Sequence, residues 1–308
     1  YKSIMRDTFV NNLIELAEQD KKIFLVCGDL GFNVLEGFRD SFPDRFLNGG
    51  ISEQNIAGLC SGLSREGYTV YFYSIGNFPT LRCMEQIRYD IAYHNANVNI
   101  VAVGGGYAYG SLSTSHHATE EIGMLRTIPN MMISAPSDPS EVKEILRITS
   151  TNPSPSYMRL NRSGEEIINY HDTFIAGDLH LAYKGSAETK NKAFVSNGAI
   201  CYEVYKDLLD AKSEDDLFSL PLVKPLEESS IIDKLSQYNE IIVVEEHQLI
   251  GGLGSAIQGI LYDYFSASEN SYLPKVHRIG IQDTFQNVAG SQDFLRDKAG
   301  LFNYRNHI

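Results

Sequence analysis

A two-domain α/β fold, each domain a mostly parallel sheet flanked by helices, is what this 308-residue chain predicts. Three observations carry the prediction. Short, continuously apolar, β-rich runs alternate with amphipathic helical windows, and strands without polar alternation are those covered by helices on both faces. One polar, aperiodic stretch interrupts this rhythm after residue 165. The length also suffices for two ordinary α/β cores.

In the first half the predicted strands are "IFLVC" (23–27), "TVYFY" (69–73), "VNIVAV" (98–103), "MMISAP" (131–136) and "SYMRL" (156–160). Helices are predicted at 3–19, 52–65, 80–94 and 138–150. In the second of these, Ile56, Leu59, Cys60 and Leu63 recur at i, i+3, i+4, i+7 and form one apolar face. Gly49 and Gly50 mark a tight turn ahead of it, and Ser52 takes the N-cap position. The helix at 138–150 opens with Asp138 and Glu141 at capping-box spacing. The stretch "NYHDTFIAGDLHLAYKGSAETKNK" has no clear period and reads as a linker with at most one short hairpin. The second half adds strands "AFVSN" (193–197), "LFSLP" (217–221), "IIVVEE" (241–246) and "KVHRIG" (275–280), with helices at 199–212, 228–238 and 252–266. The expected organisation is a first domain over 1–165, a linker over 166–190 and a second domain over 191–308.

Formal net charge is −13, and no block of Lys or Arg occurs anywhere. That balance argues against a nucleic-acid or anionic-membrane partner. The longest apolar runs are strand-length, far short of the ~18 residues that span a bilayer. No signal-peptide pattern is seen at the N-terminus. Cys27, Cys60, Cys83 and Cys201 lie singly in apolar segments without a C-x-x-C pair, as expected of reduced core residues in a cytoplasmic protein.

In open parallel sheets, sites gather where strands end and loops lead into helices. Five stretches qualify. "CGDLGF" (27–32) carries Asp29, and "GGISEQN" places Glu53 at the mouth of a helix. "YSIGNFPTLR" (73–82) carries Tyr73, Phe78 and Arg82. "GGGYAYGSLSTSHHATEE" (104–121) is the densest run of Gly, hydroxyl and imidazole, with His116 and His117. "YMRLNR" (157–162) ends a strand on Arg159 and Arg162. Each has a plainer reading. An acid in a first helical turn complements the helix dipole by roughly 0.3–1 kcal/mol. The triple glycine lacks the G-x-G-x-x-G spacing and the Lys-Ser/Thr of a phosphate loop. Adjacent histidines diverge, so no metal site is expected. There is no G-x-S-x-G elbow for a serine nucleophile. These residues support an α/β enzyme without naming its reaction.

Taken in order, "GDLG", "FPDRFLNGGISEQNIAGLCSGLSREG", "EQIRYDIAY", "SHHATEEIGMLRTIPNMMISAPSDPSE", "YMRLNR", "VKPLE", "VVEEHQLIGGLGSAI" and "RIGIQDTF" resemble the C-terminal half of a transketolase. That half comprises the pyrimidine-binding domain of a thiamine diphosphate enzyme and the family's C-terminal domain. The resemblance implies that Glu53 is the glutamate that hydrogen-bonds N1′ of the aminopyrimidine and so activates the cofactor. It implies a stacking ring at Phe78, with Tyr73, Asp29 and Arg82 also at the cofactor. It puts His116 on the substrate-facing histidine of a G-x-x-D-G-P-T-H-Q loop, with His117 beside it, and Arg159 on an arginine that binds substrate phosphate at the rim. The loop departs from that pattern at Leu112, in place of aspartate, and at Ser113, in place of glycine. A sugar donor with fewer demands for a hydroxyl, or pyruvate, would suit Leu112.

One element of the family pattern is missing. The diphosphate-binding half carries Gly-Asp-Gly and a later Asn that hold Mg²⁺ and the diphosphate. Here the Gly-Asp pairs, Gly28-Asp29 and Gly177-Asp178, are both followed by Leu. The expectation is one subunit of a split transketolase-like enzyme transferring a two-carbon ketol unit. A separate subunit would carry the diphosphate-binding domain and Mg²⁺, and self-dimerisation would give an α₂β₂ complex. The C-terminal domain, with Gly251, Gly252 and Gly254, is expected to serve mainly dimer contact away from the chemistry. The alternatives are a 2-oxoacid dehydrogenase beta chain, an acyl transferase like deoxyxylulose-phosphate synthase that uses pyruvate, and a non-catalytic assembly subunit.

Overall fold

The computed structural model describes residues 4–162, 164–267 and 272–308. Its strands are β1 (Ile23–Cys27), β2 (Phe46–Asn48), β3 (Thr69–Ile75), β4 (Val98–Val103), β5 (Met132–Ser134), β6 (Ser156–Leu160), β7 (His180–Tyr183), β8 (Lys192–Ser196), β9 (Asp216–Ser219), β10 (Leu222–Lys224), β11 (Glu240–Gln248) and β12 (Lys275–Ile281). They form a seven-stranded sheet in the order β10-β5-β6-β4-β3-β1-β2 and a five-stranded sheet in the order β12-β11-β8-β9-β7. All pairings are parallel except β10 with β5 and β7 with β9. The central strand β4 is buried at every residue, as a strand with helices on both faces must be. Each large apolar side chain buried this way stabilises the fold by about 1.5–3 kcal/mol.

The two sheets are more interlocked than the sequence suggests. The segment expected to be a linker supplies one strand, β7, rather than a hairpin. The three-residue β10 comes from the second half yet extends the first sheet through β5. Both are too short to show an apolar period.

Alternation along β3 sorts the core. Val70 and Phe72 pack under the helix Glu53–Arg65, while Tyr71 and Tyr73 face the helices Met5–Gln19 and Pro139–Thr151. Tyr73 is therefore on the sheet face opposite Glu53. It is 1% exposed and its ring stacks on Phe9 at 6.0 Å, so it cannot line a cofactor pocket with Phe78.

The helix Glu53–Arg65 buries Glu53, Ile56, Ala57, Cys60 and Ser61, a stripe displaced from the predicted one, with Leu59 left partly exposed. Ser52 holds the N-cap position without capping: its Oγ donates to the Gly49 carbonyl at 2.8 Å. The helix predicted at 80–94 is a 3₁₀ turn (Leu81–Cys83), a short α turn (Met84–Gln86) and a π turn (Ile87–Tyr93). Asp138 accepts from the Glu141 N–H at 2.9 Å, and the Glu141 carboxylate accepts from the Ser137 N–H at 2.7 Å.

The end of β11 bolts the two halves together. Glu246 accepts from the Tyr107 N–H at 2.7 Å and pairs with Arg296 at 2.7 Å. His247 Nε2 accepts from the Gly123 N–H, and the Gln248 N–H donates to the Thr119 carbonyl. Arg126 donates to the Gly251 and Gly252 carbonyls. A Cβ on Gly252 would lie 1.9 Å from Glu245 Oε2, so only glycine fits that turn. This glycine-rich motif, expected at a dimer contact, is turned inward against its own first domain. The four cysteines are buried and unpaired. Among the described residues no helix is long and apolar enough to cross a membrane, and no group of three or more His, Cys, Asp or Glu is set to hold a metal ion.

Candidate active site

Parallel strands deliver their C-terminal loops to one edge of the sheet, and at that edge four predicted residues meet. Glu53 opens its helix beside the loop after β1 and is 5% exposed. Its Oε2 accepts from Arg82 Nη1 at 3.2 Å. The Arg82 guanidinium lies 4.2 Å from the centre of the Phe78 ring. Phe78 in turn meets the His116 imidazole edge-on at 5.1 Å. A carboxylate, an aromatic face and an imidazole thus converge from three separate loops, with the half-exposed Arg82 between the first two.

Gly28 faces the mouth of the Glu53 helix: a Cβ there would stand 3.3 Å from the Gly50 carbonyl, a tight contact, and 3.9 Å from Glu53 Cγ. Asp29 follows Gly28, exposed at φ 42°, its N–H donating to Asn48 Oδ1 at 3.0 Å. It lies on the rim, where its carboxylate accepts from Asn48 Nδ2 at 3.3 Å.

The His116 loop is held in an unusual backbone state. Ser113 has φ 65° and ψ −167°, a region that favours glycine and costs a residue with a side chain about 1–3 kcal/mol. Ser115 Oγ donates to the Leu112 carbonyl, so it accepts from His116 Nδ1 at 2.9 Å. The proton sits on Nδ1, and Nε2 is left with a lone pair. Burial, and then the nearby Arg82 charge, hold this imidazole below the ordinary histidine pKa. It is a neutral group able to take a proton at Nε2.

Two further predicted residues lie elsewhere. Arg159 does not reach a rim. It is 7% exposed, with Nε and Nη2 on Glu121 and further bonds from Nη1 to the Glu246 carbonyl and Nη2 to the Ala118 carbonyl. With its donors spent inside the protein, it has none for a substrate phosphate. Arg162, three residues on, is exposed and lies 5.5 Å over the Tyr109 ring, which itself faces His116 at 6.3 Å. The strand-end pattern contains both arginines, and only burial separates them. His117 turns away from Phe78 and is buried edge-on against Tyr107 at 5.0 Å.

Comparison with known proteins finds transketolase domains in both halves of the chain. The profile described as "Transketolase, pyrimidine binding domain" matches residues 2–164, and "Transketolase, C-terminal domain" matches residues 193–301. An apulose-4-phosphate transketolase subunit from Phocaeicola vulgatus is 31% identical over 90% of this chain and 87% of its own length. A putative transketolase C-terminal section from Methanocaldococcus jannaschii is 31% identical over 95% of this chain and 90% of its own. A solved split-gene transketolase, described as an inactive β4 tetramer, superposes with a TM-score of 0.82 at 28% identity, covering 97% of this chain and 94% of that one.

Proposed function

The chain belongs to the transketolase family, and from that premise we propose that it is the pyrimidine-binding subunit of a split enzyme that transfers a two-carbon ketol unit between sugars. The observation that carries this reading is the convergence of buried Glu53, the Phe78 ring and neutral His116 on one cleft.

The cleft fits the pyrimidine end of thiamine diphosphate. Glu53 offers a carboxyl for the ring nitrogen N1′, Phe78 offers a stacking face, and Gly28 keeps the approach to Glu53 free of a side chain. When bound, the cofactor supplies a carbon nucleophile for carbonyl attack. Glu53 holds and moves a proton at N1′. His116 takes a proton at Nε2 from a substrate hydroxyl and returns it as charge develops on a substrate oxygen. Arg162, exposed on the Tyr109 side of His116, offers its guanidinium fork to an anionic end such as a sugar phosphate. Arg82, which touches both Glu53 and Phe78, belongs to the wall of the cofactor cleft.

The chain has no Gly-Asp-Gly of its own, which supports placing Mg²⁺ and the diphosphate on a separate subunit. Two such chains, each with a partner, would give an α₂β₂ complex, the usual closed symmetric solution. Calorimetry on the purified chain with thiamine diphosphate and Mg²⁺ tests the split. Weak binding is expected, tightening on addition of a subunit that carries Gly-Asp-Gly and Asn, with ketol transfer appearing in the pair alone. Micromolar binding and activity in the lone chain would overturn it.

A further inference from the structure

Behind the loop that carries His116 lies a cavity of about 80 Å³, at the seam between the two domains. Asn77, Tyr107, His117, Glu120 and Gln286 are among its walls. It has room for a few water-sized groups.

Two buried acceptors on these walls lack a partner. His117 is 5% exposed and engages the Gly110 carbonyl, while its Nε2 bonds to nothing. A nitrogen that faces a carbonyl must carry the hydrogen, so Nδ1 is the donor and Nε2 a bare lone pair. Asn77 Nδ2 donates to the Ser115 carbonyl at 2.9 Å, which fixes the amide orientation and leaves Oδ1 unpartnered. Glu120 adds a carboxylate, one of whose oxygens accepts from the Thr119 N–H. Of the hydroxyls nearby, Thr114 Oγ1 donates to the Gln286 carbonyl, and the Tyr107 oxygen is hydrogen-bonded to the Gln286 side chain. A buried acceptor left unmatched is destabilising, because its bond to water is lost and nothing replaces it. These two acceptors call for an occupant that donates hydrogen bonds.

We propose that this cavity is a hydroxyl-reading subsite, in which His117 Nε2 and Asn77 Oδ1 accept from the hydroxyl-bearing end of a sugar substrate. The proposal rests on the ketol-transfer reading and adds to it the residues that recognise the sugar chain. Asn77 precedes Phe78 and holds the Ser115 carbonyl, and the Ser115 hydroxyl holds His116 Nδ1. Filling the cavity thus bears on both rings of the catalytic cleft. The two unpartnered groups are both acceptors, which disfavours phosphate and leaves the anionic end of the substrate to Arg162.

Imidazole ¹⁵N NMR of the purified chain tests this, with erythritol as the polyol probe and inorganic phosphate as the control. Erythritol should move the His117 Nε2 resonance saturably toward its hydrogen-bonded position, and phosphate should not. Asn77→Leu should weaken the erythritol effect about 10-fold, and His117→Gln, which keeps an acceptor, should retain more affinity than His117→Phe. In the complex with the partner chain, Asn77→Leu should raise the ratio of KM for erythrose to KM for glycolaldehyde by about the same factor. A resonance already hydrogen-bonded in buffer and unmoved by erythritol would mean a cavity for water alone and would overturn the proposal, as would an equal response to phosphate. If erythritol binds but the complex transfers no ketol unit, the functional reading falls and a polyol site remains.

Discussion

Two of the glutamate–arginine pairs in the first domain, Glu53–Arg82 and Glu121–Arg159, share little beyond residue type. Arg82 is half-exposed, makes one 3.2 Å bond to its acid and rests on an aromatic face. Arg159 and Glu121 are both buried, joined at 2.5 Å, with the Tyr157 hydroxyl also donating to Glu121. A pair with one partner in solvent rearranges at a cost of about 0–1 kcal/mol. Breaking a buried pair by removing one member costs about 3–5 kcal/mol. The first arrangement can admit a ligand, whereas the second ties β6 to the Ala118 loop of its own domain and to β11 of the other. An arginine at a strand end is available for binding only if its donors are not already spent.

The largest effect should separate the two acids by function. In the complex with its partner, Glu53→Gln should slow exchange of the cofactor's reactive C–H by about 10²–10⁴-fold, with the thermal midpoint of the chain little changed. Wild-type exchange measured by NMR would return Glu53 to a helix-terminal charge with no catalytic part.

The buried pair should respond in the opposite way. Arg159→Met removes the partner of Glu121 and should destabilise the chain by about 3–5 kcal/mol in urea unfolding, with no selective rise in KM for phosphorylated substrates. Wild-type stability combined with such a rise would restore Arg159 to the substrate.

How much of this is legible in the sequence follows the same division. The long apolar strands, the loops after them and the cluster of Glu53, Phe78, Arg82 and His116 can be read because parallel strands bring their C-terminal loops together. Tyr73 cannot be placed, since alternation along β3 gives two faces but not which helices cover each. The stripe of the Glu53 helix is misplaced by apolar spacing because its buried face includes Glu53 and Ser61, polar residues that such spacing passes over. Arg159 and Arg162 sit in one motif, and only tertiary contacts from Glu121 and β11 decide which one remains free.

The bolt between domains should also carry an acid-sensitive element, more deeply buried than the imidazole of the cleft. Burial, and next the Arg159 charge, push His247 down to about 4 from 6.5, against the opposing pull of Glu120 and the Gln248 carbonyl. The folded pKa is depressed, so the unfolded chain takes up the proton first. Stability from this group is complete above pH 6.5 and is lost as pH falls toward 4, by roughly 3 kcal/mol in all. His247→Gln should flatten that part of the stability profile in urea titrations at stepped pH. An unchanged slope would place the titrating group elsewhere.

The smallest effect concerns the strained side of the cleft. Ser113 sits at φ 65° and ψ −167°, next to the turn that holds His116, where glycine adopts the conformation without a Cβ clash. Such backbone states cost about 1–3 kcal/mol in residues other than glycine. Glycine gives back roughly 0.5–1 kcal/mol through the extra freedom of the unfolded chain. Ser113→Gly should therefore stabilise the chain by about 1 kcal/mol, read as a higher urea midpoint at unchanged slope. No such gain is expected from a glycine placed in the buried bolt, where side chains are spent on contacts. A fall in stability on Ser113→Gly would mean that the serine side chain does more for the loop than its backbone costs, and would move this segment to the same class as the Arg159 bolt.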